Sequence, residues 1–198
     1  MKHTELHINS GSRTWTLTEH QQQQVVLVFD DACTPDAREL VFRLMGKEAQ
    51  VDIIILVKRK APELLQASLH VIHEAQNTKA NVMAASVLDD SAAQDIRGII
   101  HIQKGAKGAD AFLSHRTLTL SATAKSRTEP ILEIEEDDVK ASHAGVTGPV
   151  DPEQLFYLQT RGVSTEEAQQ VIAQGFLQAV MSKIQDPVIL NKVKDLFK

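Results

Sequence analysis

The sequence predicts a mainly β fold closed by a small C-terminal α-helical domain, and three observations carry that reading. Short β-like runs, separated by polar or glycine-containing turns, fill the stretch from residue 5 to about 140. Hydrophobic residues make up 42% of the chain but aromatics only 4%, so Val, Ile, Leu and Ala must fill the core. Strong helix-capping signals then appear after residue 150. The expected division is therefore a β core over residues 1–149 and a helical domain over residues 150–198.

The β-like runs, in order, are residues 6–8, 14–18, 25–29, 51–57, 68–72, 81–88, 98–102, 116–122 and 131–135. Thr117-Leu118-Thr119-Leu120 alternates with period two, the mark of a strand with one buried face. Residues 51–57 (VDIIILV) are nearly continuous, which suggests burial on both faces. Turns are expected at residues 88–95 and 105–110. Residues 37–46 break the pattern: apolar positions 40, 41, 44 and 45 fit one helical face, closed by Gly46. The last six runs are centred roughly 14 to 18 residues apart, a spacing open to a parallel β-helix, a sandwich or a jelly roll. The low aromatic content suits a narrow interior, with ladders from residues 51–57, 98–102 and 116–122 filling it.

Three helices are expected beyond residue 150. Asp151-Pro152-Glu153-Gln154 offers an N-cap and a proline at the first helical position, and Gly162 closes that helix. Ser164-Thr165-Glu166-Glu167 is a capping box that opens a helix over 165–184 with an apolar face of Ala168, Val171, Ile172, Phe176, Val180 and Ile184. Asp186-Pro187 starts a last short helix carrying Ile189, Val193 and Leu196. Such a stripe must pack on something, either the chain's own β core or a partner.

Composition narrows the function. A net charge of −5 argues against nucleic acid, which rewards a basic face. No apolar run approaches the roughly 20 residues of a membrane span, and the N-terminus lacks the apolar stretch of a secretory signal, so a cytoplasmic location is expected. The one cysteine, Cys33, cannot form an intrachain disulfide or a CxxC metal site; beside Asp30 and Asp31 it reads as a buried, unreactive thiol. A phosphate loop, a dinucleotide fingerprint and a nucleophile elbow are all missing, so ATP chemistry would have to come from a partner.

Residues Glu135 to Gly148, followed by Asp151-Pro152-Glu153-Gln154-Leu155-Phe156-Tyr157-Leu158 and Arg161-Gly162-Val163-Ser164, resemble the SufB/SufD family of scaffolds in the SUF iron–sulfur assembly system. The stretch His70 to Lys79, with Gly98 and the strand after it, looks like the family's β core, and the resemblance spans about 60% of the chain. It implies a flattened right-handed parallel β-helix followed by a helical domain. It also implies pairing with an identical or SufB-like chain, docking of a SufC-like ABC-type ATPase on the helices, and no catalysis by this chain. Three departures stand out. Ala141 occupies the position where the family motif usually has cysteine. The turn Ala144-Gly145-Val146-Thr147-Gly148 differs in order from the family's. The sequence given is expected to open almost directly on strands, where full-length members have an N-terminal domain first.

His143 is then the one strong ligand in that motif, a candidate for iron or for a cluster held transiently with a partner, since no tightly bound cofactor is expected. It is expected on a turn between the two regions. Leu155, Phe156 and Tyr157 are expected to anchor the first helix on the β core, and Val171, Ile172, Phe176 and Val180 to share their face with a partner. His70 and His73 would point to opposite faces of a strand and so not share an ion. His101 and His115 read as surface or ladder residues, and Glu133, Glu135, Glu136, Asp137 and Asp138 as a solvated acidic run. Two other classes compete: a metal-dependent enzyme of cupin type, and an interaction module without cluster chemistry, which Ala141 favours.

Overall fold

The structure is a computed structural model and describes residues 3–197. Eleven strands come first: β1 (His3–Ile8), β2 (Arg13–Leu17), β3 (Gln22–Phe29), β4 (Arg38–Leu44), β5 (Gln50–Arg59) and β6 (Leu64–His73), then β7 (Lys79–Leu88), β8 (Ala93–Ile102), β9 (Asp110–Thr119), β10 (Lys125–Ile134) and β11 (Lys140–Pro149). Odd strands form a six-stranded sheet and even strands a five-stranded sheet, each in sequence order and paired in parallel. The chain therefore winds as a parallel β-solenoid of about five turns. A sandwich, a jelly roll and a cupin barrel all require antiparallel neighbours, so those alternatives fall.

Because the register is unshifted from coil to coil, each inward position continues as a column. Val25, Ile53, Val82 and Leu113 are successive neighbours across the six-stranded sheet. Phe42, Val71, Ile100 and Leu132 do the same opposite them. These columns, aliphatic apart from Phe42, build the interior. The ladders expected from residues 51–57 and 98–102 are present; from 116–122 the inward residues of β9 are Thr117 and Thr119, in register with Ser86 and Leu88, while Leu118 packs outward.

One corner repeats with the coil. His20, Glu48, Asn77 and Gly108 all have positive φ, and the N–H of each donates to the next coil: to the carbonyls of Lys47, Gln76, Lys107 and Asp138. The small buried residue after the left-handed position in three of those coils, Ala49, Thr78 or Ala109, lets successive corners stack closely.

Two expectations fail here. Residues 37–46 are not a helix but mostly β4, with Leu40, Phe42 and Leu44 inward at period two. Gly46 ends no helix; it makes room for the neighbouring coil, and a Cβ there would lie 1.9 Å from the Glu19 nitrogen.

Helices α1 (Pro152–Thr160), α2 (Thr165–Met181) and α3 (Pro187–Leu196) follow. They cover the outer face of the six-stranded sheet, which explains its continuous apolar strands. Val26, Val28, Ile54, Leu56, Ala85 and Val87 face outward and meet Ala173, Leu177, Met181, Ile184, Val193 and Phe197. Gln24 pins this layer, donating to the Lys183 carbonyl at 3.0 Å and accepting from the Gln185 N–H at 2.8 Å. The buried face of α2 is rotated from the expected one, toward Ala173 and Leu177 and away from Val171. The capping box at Ser164 is formed on both sides. Ser164→Ala should lower stability by about 1 kcal/mol in urea melts.

Candidate functional site

Strand β11 is the outer edge of the six-stranded sheet and pairs only with β9, so one row of its backbone groups is free among the described residues. It holds ten residues, and beyond Lys140 none is charged. Small residues dominate it, which is why it reads as a turn in the sequence. His143 is thus in mid-strand, not in a turn.

The register fixes where His143 points. It neighbours Leu113 and so continues the interior column of Val25, Ile53, Val82 and Leu113 as its last, uncovered member. Ala141, Gly145 and Thr147 share this face, and Ala141 packs its methyl partly against the interior cluster. Beneath them the coil turns polar. Gln94 Nε2 donates to Thr117 Oγ1 at 3.0 Å and to Ser126 Oγ at 2.9 Å, and His115 Nε2 lies 3.0 Å from Ser86 Oγ. Burial holds the His115 imidazole down at about 4, so it stays neutral near pH 7.

The remaining candidates separate cleanly. His70 lies on the outer face, 3.9 Å from Glu39, whereas His73 is fully buried and bonds Thr78 Oγ1 at 2.8 Å, so the pair shares no site. His101 is on the surface, 3.0 Å from Glu135, whereas His115 is interior, beside Ala84 in a column of the six-stranded sheet, the ladder alternative of the two expected. The acidic run fastens a corner: Glu135 accepts from His101 and from the Lys104 N–H, and Glu136 from the Gly105 N–H at 3.0 Å. These bonds hold both carboxyls below the ordinary glutamate range. Cys33 is a core atom, its thiol pushed up by burial, with Arg38 and Arg59 opposing the shift. Among the described residues no three His, Cys, Asp or Glu side chains converge as a metal site.

The helical surface also differs from expectation. Phe156 is 68% exposed and Tyr157 58% exposed, so neither anchors α1; Leu155 alone of the three packs on the layer below. Ile172, Phe176 and Val180 are partly buried there, while Val171 is 54% exposed. Arg161 covers the Tyr157 ring at 5.3 Å and Arg116 the Phe176 ring at 5.1 Å. A groove of about 460 Å³ separates these helices from the edge, lined by Arg116, Val146, Gly148, Asp151, Ile172 and Phe176. Val146, missed by sequence reasoning, stands at its rim with 62% exposure. No described helix is long and apolar enough to cross a membrane.

Comparison with known proteins gives a consistent result. The family model "SUF system FeS cluster assembly, SufBD core domain" matches residues 18–176. An "iron-sulfur cluster assembly protein SufD" of Bacillus subtilis is 36% identical over 141 residues, 71% of this chain and 32% of the relative. An "iron-sulfur cluster assembly SufBD family protein" of Staphylococcus saprophyticus is 33% identical over 135 residues, 68% of this chain and 29% of the relative. The chain therefore spans about a third of the length of the curated relatives it matches.

Proposed function

The chain belongs to the SufBD family of iron–sulfur cluster assembly proteins, and from that premise we propose that it is a non-catalytic scaffold subunit working through two protein contacts. Along β11 it pairs with a second scaffold chain, identical or SufB-like. On the outer surface of α1 and α2 it docks a SufC-type ABC ATPase, with Phe156, Tyr157 and Val171 as the exposed apolar anchors.

The observation that carries this reading is the bare, uncharged edge of β11 with His143 at the end of an interior column. An unguarded edge is a template for pairing. A pair formed there would bring a partner's side chains to His143, which belongs to no cluster of His, Cys, Asp or Glu side chains among the described residues. Iron or a cluster, as cargo, would then be held between two chains with His143 giving one nitrogen. Ala141 supports a second reading, an interaction module that contacts the ATPase and sister scaffold but never touches iron: its methyl offers no ligand.

Calorimetric titration of the full chain with a SufC-type ATPase tests the helical contact. Phe156→Ala/Tyr157→Ala should weaken affinity about tenfold or more, the effect of losing buried aromatic anchors. Both side chains are exposed in the free chain, so helix content should hold. Unchanged affinity would refute the surface.

A further inference from the structure

The corner where β5 leaves the six-stranded sheet buries more positive charge than the chain balances, and we propose that a small monovalent anion of the chloride type binds there against Arg59. The site is separate from β11 and from the docking surface proposed above.

Arg59 ends the inner row of β5 that runs through Val51, Ile53, Ile55 and Val57, in register with Leu88 on β7. It is the largest of the fully buried side chains, 1% exposed. A guanidinium carries five N–H donors and is always charged near neutral pH. Here Nη2 donates to the Glu63 carbonyl at 3.1 Å, while Nε and Nη1 have no hydrogen-bond partner among the described residues. Arg38, 3% exposed and lying over the Phe29 ring, is the contrast. Its Nε donates to the Ser10 carbonyl, Nη1 to the Asp36 carbonyl, and Nη2 to the carbonyl and hydroxyl of Thr34. The acceptors of both arginines are neutral oxygens. Two buried charges therefore face no carboxylate, and Arg59 keeps two donors unspent. An unneutralised buried charge is costly, and each orphaned donor adds to the cost.

The neighbouring groups do not supply the missing charge. Cys33 is within electrostatic reach of both guanidiniums, but burial pushes its thiol up, so it is neutral at pH 7. Asp30 accepts from Asn9 Nδ2 and the Ala32 N–H, and Asp31 from the N–H groups of Lys60 and Ala61. Lys60 pairs with Asp89 at 2.9 Å, and Lys58 donates to the Phe197 carbonyl at 3.2 Å. A pocket of about 370 Å³ reaches Arg59 between these groups, with Ala32, Leu196 and Phe197 among its walls. Its chemistry selects the ligand. One guanidinium with two free N–H groups matches a single negative charge. A phosphate or sulfate would bring four oxygens to two donors and would be repelled by Asp30 and Asp31. A halide accepts N–H groups from any direction and tolerates the apolar walls. Once bound, it ties the end of β5 to the turn after β3 and to the last residues of α3.

Urea melts of the full chain at pH 7.5 and constant ionic strength test this, with sodium gluconate exchanged stepwise for sodium chloride. Chloride should raise the midpoint. Above its dissociation constant, the unfolding constant should fall about tenfold for each tenfold rise in chloride. Arg59→Met keeps most of the side-chain length and removes the donors, so it should lose this response while any general salt effect stays. An equal chloride response in wild type and variant overturns the site. Exchange for sodium phosphate should give no response beyond that of the variant; a response to phosphate and not to chloride overturns the monovalent assignment. Wild-type crystals soaked in sodium bromide test the same point without a substitution, should Arg59→Met fail to fold. An anomalous peak in contact with Arg59 Nε or Nη1 is expected. Bromide at exposed lysines alone (an adventitious ion only), or water in its place beside Arg59, overturns the proposal.

Discussion

Gly46→Ala should destabilise the fold by about 3 kcal/mol or more, seen as a lower urea midpoint with little change in slope. The added Cβ would lie 1.9 Å from the Glu19 nitrogen, 2.2 Å from the Thr18 carbonyl carbon and 2.4 Å from the Glu19 Cα. All three are backbone atoms of the preceding coil, so no side-chain rotation can relieve the contact. That coil is held in place as well: the N–H groups of Met45 and Gly46 both donate to the Leu17 carbonyl, at 3.0 and 3.2 Å. Moving Thr18 and Glu19 away would break these bonds and disturb the stacked corner at His20. Gly98→Ala is the control. Its Cβ would lie 2.5 Å from a Leu113 methyl, a side-chain atom that can turn aside, so the cost should be smaller, about 1–3 kcal/mol. Equal costs at the two sites would mean that the coil contact at Gly46 is slack.

Gly46 also shows where the sequence was legible and where it was not. Nine of the eleven strands announce themselves through β-branched runs and period-two alternation. The two that do not fail for different reasons. In β4, Leu40, Val41, Leu44 and Met45 match a helical face as well as Leu40, Phe42 and Leu44 match a strand, and local pattern cannot choose. Pairing with β2 and β6 decides it. In β11 the side chains are too small to carry any periodicity, so the strand exists because β9 templates it. That hid the orientation of His143, which only the register reveals. The helical caps were plain in the sequence because capping is local: Asp151, Ser164 and Asp186 each accept from nearby backbone N–H groups. Which face of α2 would be buried was not, because a broad apolar surface leaves the choice to the sheet beneath it.

Acid should weaken the fold well before its carboxylates titrate, and the cause is two buried imidazoles. Burial holds His73 and His115 down at about 4, from an ordinary value of 6.5. The unfolded chain therefore binds protons between about pH 6.5 and 4 that the folded chain refuses. Stability from this source is complete above pH 6.5 and falls as the pH drops toward 4. At pH 5 the loss should be roughly 2 kcal/mol per histidine, an upper figure if the interior admits water. Glu5, Asp89, Glu135 and Glu136 are held below their ordinary values, so what they contribute is lost only at lower pH, leaving the upper window to the histidines. Each imidazole has a hydroxyl partner inside the solenoid, Thr78 for His73 and Ser86 for His115, and neither hydroxyl carries a charge that could favour the protonated ring. Asp110 acts on His73 in the opposite sense but is outweighed by burial. Urea melts at pH 7.5 and 5 should show the drop in wild type. His73→Gln and His115→Gln should each lower stability at pH 7.5 and remove about half of the drop between the two pH values. A drop of the same size in both variants would place the acid sensitivity elsewhere in the chain.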